Sequence, residues 1–119
     1  MPQKREINRI LIVDDEQEMC ATLTKSLQSS GYSCESNTDP VDALTILRQG
    51  NFELAVSDIN MPSMDGLKFL NEVSKVAPGI DTIMMTGYTD AYSYSDIIKA
   101  GAADFIAKPF LFMSWPSRP

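Results

Sequence analysis

The sequence contains no histidine and only two cysteines among its 119 residues. Without histidine, Ser-His-Asp and Cys-His catalytic arrangements are excluded, together with the commonest general base and most zinc chemistry. The cysteines, Cys20 and Cys34, form no CxxC pair, and two are too few for a disulfide framework or a four-cysteine zinc site. We expect two reduced, partly buried thiols. Any chemistry must then depend on carboxylates, hydroxyls and lysine.

Three further absences narrow the class of protein. No apolar run approaches the ~20 residues of a membrane-spanning helix, and no secretory apolar region follows the basic start MPQKREINR. The formal net charge of −6 argues against nucleic-acid binding, which needs clustered lysine and arginine. The length fits one domain. We therefore expect a single cytoplasmic globular domain that binds neither membranes nor nucleic acid.

Strand-like and helix-like segments alternate along the chain. Short β-branched, apolar segments predict strands at 9–13, 32–36, 52–57, 80–86 and 104–107. Apolar residues at helical spacing predict helices at about 16–30, 40–50, 66–77 and 89–99. In the second helix, which Asp39-Pro40 should start, the expected inward stripe is Val41, Leu44 and Leu47. Alternating strands and helices predict a doubly wound α/β fold with a parallel sheet.

Polar residues follow four of the predicted strands. The first strand leads into Asp14-Asp15, the third into Asp58, the fourth ends at Thr86, and the fifth leads into Lys108. In a doubly wound fold the ligand crevice lies outside the carboxyl ends of the strands. The sequence therefore predicts that these side chains meet at one edge of the sheet.

The chemistry of this set favours phosphoryl transfer. Three converging carboxylates repel each other, and a hard cation bound by oxygen, Mg²⁺ rather than zinc, would relieve that repulsion. A carboxylate, a metal, a lysine and a hydroxyl are the parts needed to form an aspartyl phosphate. Asp58 is the predicted nucleophile, and Asp14-Asp15 the predicted metal-holding pair. Taken singly, Asp14-Asp15 could cap the next helix, and Asp58, Thr86 and Lys108 could be ordinary turn or surface residues.

Four stretches in chain order, ILIVDDE, SDINMPSMDG, MMTGY and DFIAKPF, resemble the receiver domain of two-component response regulators over about residues 8–110. The resemblance implies a flavodoxin-like sheet of order 2-1-3-4-5. It implies a phosphorylation-activated signalling switch rather than a turnover enzyme. Asp58 would accept a phosphoryl group from a sensor histidine kinase or a phosphotransfer protein in a Mg²⁺-dependent reaction. The domain would then change the surface that it presents to an output domain or a downstream protein.

The resemblance also implies a ligand set for Mg²⁺. Asp15 and Asp58 would ligate the ion directly, Asp14 would act mainly through water, and the backbone carbonyl of Asn60 would be a further ligand. Asn60 separates this chain from phosphatases of the haloacid-dehalogenase type, which place an acidic residue there as a proton donor. A flavin- or nucleotide-binding fold would need a glycine-rich loop after the first strand, where this sequence has Asp-Asp-Glu.

Three residues further along the chain take switch roles by resemblance. Thr86 would move towards the phosphoryl group, and Lys108 would pair with it. Phe105 matches the aromatic switch position, although an ordinary core aromatic explains it equally well. A receiver that binds partners without being phosphorylated is the alternative function.

The end of the chain departs from the family pattern. Receivers continue into a fifth helix, whereas this sequence continues FLFMSWPSRP, in which Pro116 and Pro119 disfavour a helix. We therefore expect one receiver domain over 1–119, with an atypical tail at 111–119 and a truncated or missing fifth helix. An uncovered apolar flank would favour self-association. The tail residues expected to cover it, or to pack on a second copy, are Phe110, Leu111, Phe112 and Trp115.

Overall fold

The computed structural model describes residues 9–86 and 94–107 of the chain. The strands in these ranges are β1 (Arg9–Val13), β2 (Ser33–Asn37), β3 (Leu54–Asp58), β4 (Asp81–Thr86) and β5 (Asp104–Ala107). The helices are α1 (Gln17–Ser29), α2 (Pro40–Arg48), α3 (Gly66–Val76) and α4 (Tyr94–Lys99). Strands and helices alternate, as the sequence predicts. Within the same ranges, no helix has both the length and the apolar character to cross a membrane.

The strands form a single parallel sheet in the order β2-β1-β3-β4-β5. This order confirms the predicted doubly wound, flavodoxin-like fold. In the register between β1 and β3, Val13 lies opposite Ser57, and in the register between β3 and β4, Asp58 lies opposite Met85. The carboxyl ends of β1, β3 and β4 are therefore level with one another at one edge of the sheet.

The sheet has a hydrophobic core on each face because β1 is apolar at every position after Arg9. Ile10 and Ile12 pack with α1, whereas Leu11 and Val13 pack with α2 and α3. Such burial on both faces is typical of a strand in a parallel sheet. A third cluster joins α3 and α4 to the sheet; its buried members are Ile59, Leu70, Met84, Ile97 and Ala102.

Local sequence signals account for the helix ends. The Asp39 side chain accepts a hydrogen bond from the Val41 backbone N–H at 3.0 Å, and Pro40 occupies the first turn of α2; both features stabilise a helix start. Gly31, at a φ of 98°, ends α1 in the left-handed conformation that glycine adopts without strain. These signals lie where the sequence predicts them.

The predicted inward stripe of α2 is partly wrong. Val41 is 56% exposed, whereas Pro40, Ala43 and Leu47 are the buried residues of this helix. The helix is therefore rotated relative to the prediction, because the small Ala43 occupies the position facing the sheet. Leu44 is only partly buried and packs at the margin of the core.

Three strands differ slightly from their predicted bounds. The predicted second strand is displaced by one residue from β2, β3 begins two residues later than predicted and includes Asp58, and β4 begins one residue later than predicted. Asp58 is therefore the last residue of the strand rather than the first of the loop.

Several predictions concern residues outside the described ranges. The predicted start of the fourth helix at 89 lies there, and only the part from Tyr94 can be compared. Lys108 and the tail 111–119 also lie outside them. The structure therefore does not test whether the fifth helix is truncated or missing, or which residues cover the flank that this helix would have covered. These points remain predictions.

Candidate functional site

Three carboxylates meet where β1 and β3 end. One carboxylate oxygen each from Asp14, Asp15 and Asp58 lies within 4.8 Å of the other two; we call these residues the acidic cluster. The sheet order creates it, because β1 and β3 are adjacent and their carboxyl ends share one edge. The predicted convergence of these three side chains is confirmed.

Two members of the acidic cluster are almost fully buried. Asp14 is 0% exposed and Asp58 is 6% exposed, while Asp15 is exposed. Oδ1 of Asp14 accepts a hydrogen bond from the Glu16 backbone N–H at 2.9 Å. Oδ1 of Asp58 accepts one from the Asn60 backbone N–H at 3.4 Å. Buried charge is costly unless it is hydrogen-bonded, so these local bonds help to hold both carboxylates at the end of the sheet.

The donor set of the acidic cluster fits a hard divalent cation. Its ligand atoms are carboxylate oxygens, which Mg²⁺ and Ca²⁺ prefer over nitrogen or sulfur. Octahedral Mg²⁺ with bonds of about 2.1 Å places neighbouring ligands about 3.0 Å apart and opposite ligands about 4.2 Å apart. Oxygens already within 4.8 Å of one another need only a small inward movement to reach such an arrangement.

Two buried side chains outside the acidic cluster donate hydrogen bonds to its backbone. The Ser57 hydroxyl donates to the Asp58 carbonyl oxygen at 3.1 Å, and the Cys20 thiol donates to the Asp14 carbonyl oxygen at 3.3 Å. The sequence reasoning did not single out Ser57 and treated Cys20 only as a thiol. The available signal was a hydroxyl inside an otherwise apolar strand, directly before Asp58.

The loop after Asp58 is fixed to the start of α3. The Gly66 N–H donates to the Ile59 carbonyl at 2.9 Å, and a Cβ placed on Gly66 would lie 2.4 Å from the Ile59 Cα. Met61 is buried, and the Asp65 side chain caps α3 by accepting from the Leu67 N–H at 2.8 Å. The two ends of the loop thus contact each other directly, which restricts the backbone that follows Asp58.

The remaining predicted site residues are only partly placed. Thr86 is the last residue of β4, one position beyond Met85, which pairs with Asp58. The Thr86 side chain and Lys108 lie outside what the structure describes. Phe105 is partly buried and packs against the cluster of Ile59, Leu70, Met84, Ile97 and Ala102. This packing suits a core aromatic, and the switch role of Phe105 remains a prediction.

Comparison with known proteins identifies relatives of this chain. Residues 10–113 match the family model described as the response regulator receiver domain. The transcriptional regulatory protein ZraR of Salmonella typhimurium is 34% identical over 103 residues, which are 87% of this chain and 23% of ZraR. The chain thus spans about a quarter of the length of that relative.

Solved structures give the same family. A receiver domain protein from Methanospirillum hungatei is similar with a TM-score of 0.80 and 33% identity, over 89% of this chain and 85% of that one. The beryllofluoride-activated NtrC4 receiver domain dimer is similar with a TM-score of 0.78 and 30% identity, over 87% of this chain and 85% of that one.

Proposed function

This chain belongs to the receiver domain family of two-component response regulators, whose members are phosphorylation-dependent signalling switches, and from that premise we propose that Asp58 is its phosphoacceptor. The observation that carries the proposal is the position of Asp58 as the last residue of the central strand β3, with two further carboxylates beside it. An Asp58 carboxylate oxygen would attack the phosphorus of a phosphohistidine. The new bond joins this oxygen to phosphorus, the N–P bond breaks, and the imidazole departs with the electron pair.

The other members of the acidic cluster have a separate role in this proposal. Asp15 and Asp58 hold Mg²⁺ directly, Asp14 holds it mainly through water, and the Asn60 carbonyl is a further ligand. When bound, Mg²⁺ offsets negative charge on the carboxylates and on the incoming phosphoryl oxygens. The Glu16 and Asn60 N–H groups keep Asp14 and Asp58 oriented.

The proposed response to phosphorylation involves residues at the ends of β4 and β5. Lys108 pairs with the phosphoryl oxygens, and the Thr86 hydroxyl donates a hydrogen bond to one of them. Phe105 adjusts its packing against the α4 side of the sheet, where it already contacts the cluster containing Ile97. This movement would change the surface that the domain presents.

The partners in this proposal are a sensor histidine kinase or phosphotransfer protein upstream and an output domain or downstream protein. ZraR, which is named a transcriptional regulatory protein, extends well beyond the part that this chain matches, so we propose that a receiver of this kind controls a separate output unit. The NtrC4 receiver is a dimer in its beryllofluoride-activated form. This similarity supports the proposal that the present domain responds to activation by self-association.

Labelling with a small phosphodonor tests the assignment of Asp58. Acetyl phosphate and Mg²⁺ should add one phosphoryl group to the wild type, seen by intact mass and removed by hydroxylamine. Asp58→Asn should take up none, because an amide is a poor nucleophile. Asp65→Asn is the matched control: it makes the same change in the same loop, and asparagine caps a helix about as well as aspartate.

Two outcomes contradict the proposal in different ways. If Asp58→Asn labels as fully as wild type, another residue is the acceptor. If folded wild type takes up no phosphoryl group, the alternative of a receiver that acts as a phosphorylation-independent interaction module is supported instead.

A further inference from the structure

The two side chains that bond to the backbone of the acidic cluster are both buried. Ser57 is 0% exposed and Cys20 is 2% exposed, so neither can exchange its partner for bulk water. Each donates to the carbonyl oxygen of a cluster aspartate: Ser57 to Asp58 at 3.1 Å and Cys20 to Asp14 at 3.3 Å. The same type of contact therefore occurs at the ends of two neighbouring strands.

The position of these carbonyls gives the contacts a consequence. Asp14 directly follows β1, and Asp58 is the last residue of β3, where regular pairing between strands stops. The Asp14 carbonyl belongs to the planar peptide unit that leads to Asp15. The Asp58 carbonyl belongs to the peptide unit that joins Asp58 to Ile59, the residue before Asn60. Holding these carbonyls restrains the rotation of the peptide units next to Asp14, Asp15 and Asp58, whose side chains carry the carboxylate oxygens.

We propose that Ser57 and Cys20 are positioning residues that orient the acidic cluster for Mg²⁺ through these carbonyl hydrogen bonds. This inference rests on the proposed function, since it concerns the same site. Carboxylates within 4.8 Å of one another repel, and the backbone must resist their separation. Mg²⁺ demands near-ideal octahedral geometry, so a small displacement of one carboxylate weakens binding. Loss of a contact that orients a metal ligand typically weakens metal affinity by about 10- to 100-fold.

Mg²⁺ affinity and stability without metal, measured on the same variants, separate positioning from a purely structural role. Ser57→Ala and Cys20→Ala should each weaken Mg²⁺ binding, measured by calorimetry, by about 10-fold. Cys20→Ser, which keeps a donor, should recover most of the affinity. Thr82→Val is the control, because Thr82 is also buried but lies at the other end of β4, opposite Ala55. It should change stability in EDTA without changing the Mg²⁺ affinity.

The outcomes separate this inference from the proposed function. Wild type that neither binds Mg²⁺ nor takes up a phosphoryl group overturns the proposed function, and the positioning role with it. Wild type that binds Mg²⁺ while Ser57→Ala and Cys20→Ala bind equally well overturns the positioning role alone. If Ser57→Ala does not fold, the comparison of Cys20→Ala with Cys20→Ser decides.

Discussion

Asp14 and Asp58 keep charged groups almost out of contact with water, at 0% and 6% exposure. Each uses one oxygen to accept a backbone N–H two residues later in the chain. Such local bonds satisfy a carboxylate with little loss of conformational entropy, because both partners lie in the same turn. The buried pair is thus held by its own backbone, while the exposed Asp15 completes the acidic cluster from the solvent side.

Burial has a different effect on the thiol of Cys34. It raises the pKa of Cys34 from 9.0 to about 11 because the thiolate loses hydration. Only the thiolate reacts with alkylating agents. In Cys20→Ser, which leaves Cys34 as the single thiol, alkylation at pH 8 should be about 100-fold slower in the native than in the urea-unfolded protein.

The pH dependence of the alkylation rate provides the check. A raised pKa favours the protonated thiol in the folded state, so this stabilisation is complete below 9.0 and is lost as the pH rises through about 11. The native rate should therefore continue to rise above pH 9, where the unfolded rate levels off. Equal alkylation rates of the native and unfolded protein at pH 8 would contradict the raised pKa of Cys34.

At the scale of elements, the junction between β3 and α3 depends on one glycine. A Cβ at Gly66 would lie 2.4 Å from the Ile59 Cα and 2.6 Å from its carbonyl oxygen, and backbone atoms cannot rotate away as a side chain can. Gly66→Ala should therefore displace the loop after Asp58 and reduce the free energy of unfolding by about 1–3 kcal/mol. It should also slow phosphoryl labelling, because the loop carries Asn60.

Gly79→Ala is the matched control for Gly66→Ala. Among the described residues, apart from the two chain neighbours of Gly79, no atom lies within 4 Å of a Cβ placed on Gly79. The free energy of unfolding of Gly79→Ala should therefore lie within about 0.5 kcal/mol of the wild-type value. Urea unfolding of both variants measures the difference. If Gly66→Ala proved as stable as Gly79→Ala and labelled at the wild-type rate, the close contact with Ile59 would have no structural importance.

The elements also show which parts of the fold can be predicted from sequence. Caps and terminating glycines are chemical signals at single positions, so Asp39, Pro40 and Gly31 mark helix ends correctly. The orientation of α2 could not be predicted, because Ala43 contributes too little apolar character to outweigh the exposed Val41. Choosing the larger apolar side chains therefore gave the wrong buried face for α2, although the helix itself was predicted.

The candidate site divides in the same way. Asp14, Asp15 and Asp58 could be predicted to converge, because in a parallel sheet all strand ends of one sense meet at one edge. The contacts of Ser57 and Cys20 could not, because their acceptors are backbone carbonyls and leave no side-chain pattern in the sequence. The side chains that form a site are thus easier to predict than the contacts that hold its backbone.

At the scale of the whole molecule, the sheet order concentrates negative charge on a chain that is already acidic. The formal net charge is −6, and three carboxylates share the edge formed by β1 and β3. Self-repulsion of this kind opposes the compact state. Stability and metal binding are therefore in conflict at the acidic cluster, and the conflict can be measured in the melting temperature.

Without divalent cations, Asp15→Asn should melt at a higher temperature than wild type, because it removes one of the three repelling charges. With Mg²⁺ about tenfold above its Kd, wild type should gain about 1.4 kcal/mol of stability, since the ion binds the folded state alone. This gain corresponds to a rise of a few degrees in melting temperature. Asp15→Asn should gain much less, because it has lost a ligand.

Screening of the overall charge must be separated from binding at the acidic cluster. All melting curves are therefore recorded at equal ionic strength, with NaCl replacing MgCl₂. Asp42→Asn makes the same charge change at an exposed position of α2, outside the acidic cluster, and should keep the full response to Mg²⁺. If Asp15→Asn and Asp42→Asn respond to Mg²⁺ equally, the stabilisation comes from the net charge of the molecule. A response lost only in Asp15→Asn assigns it to the edge where β1 and β3 end.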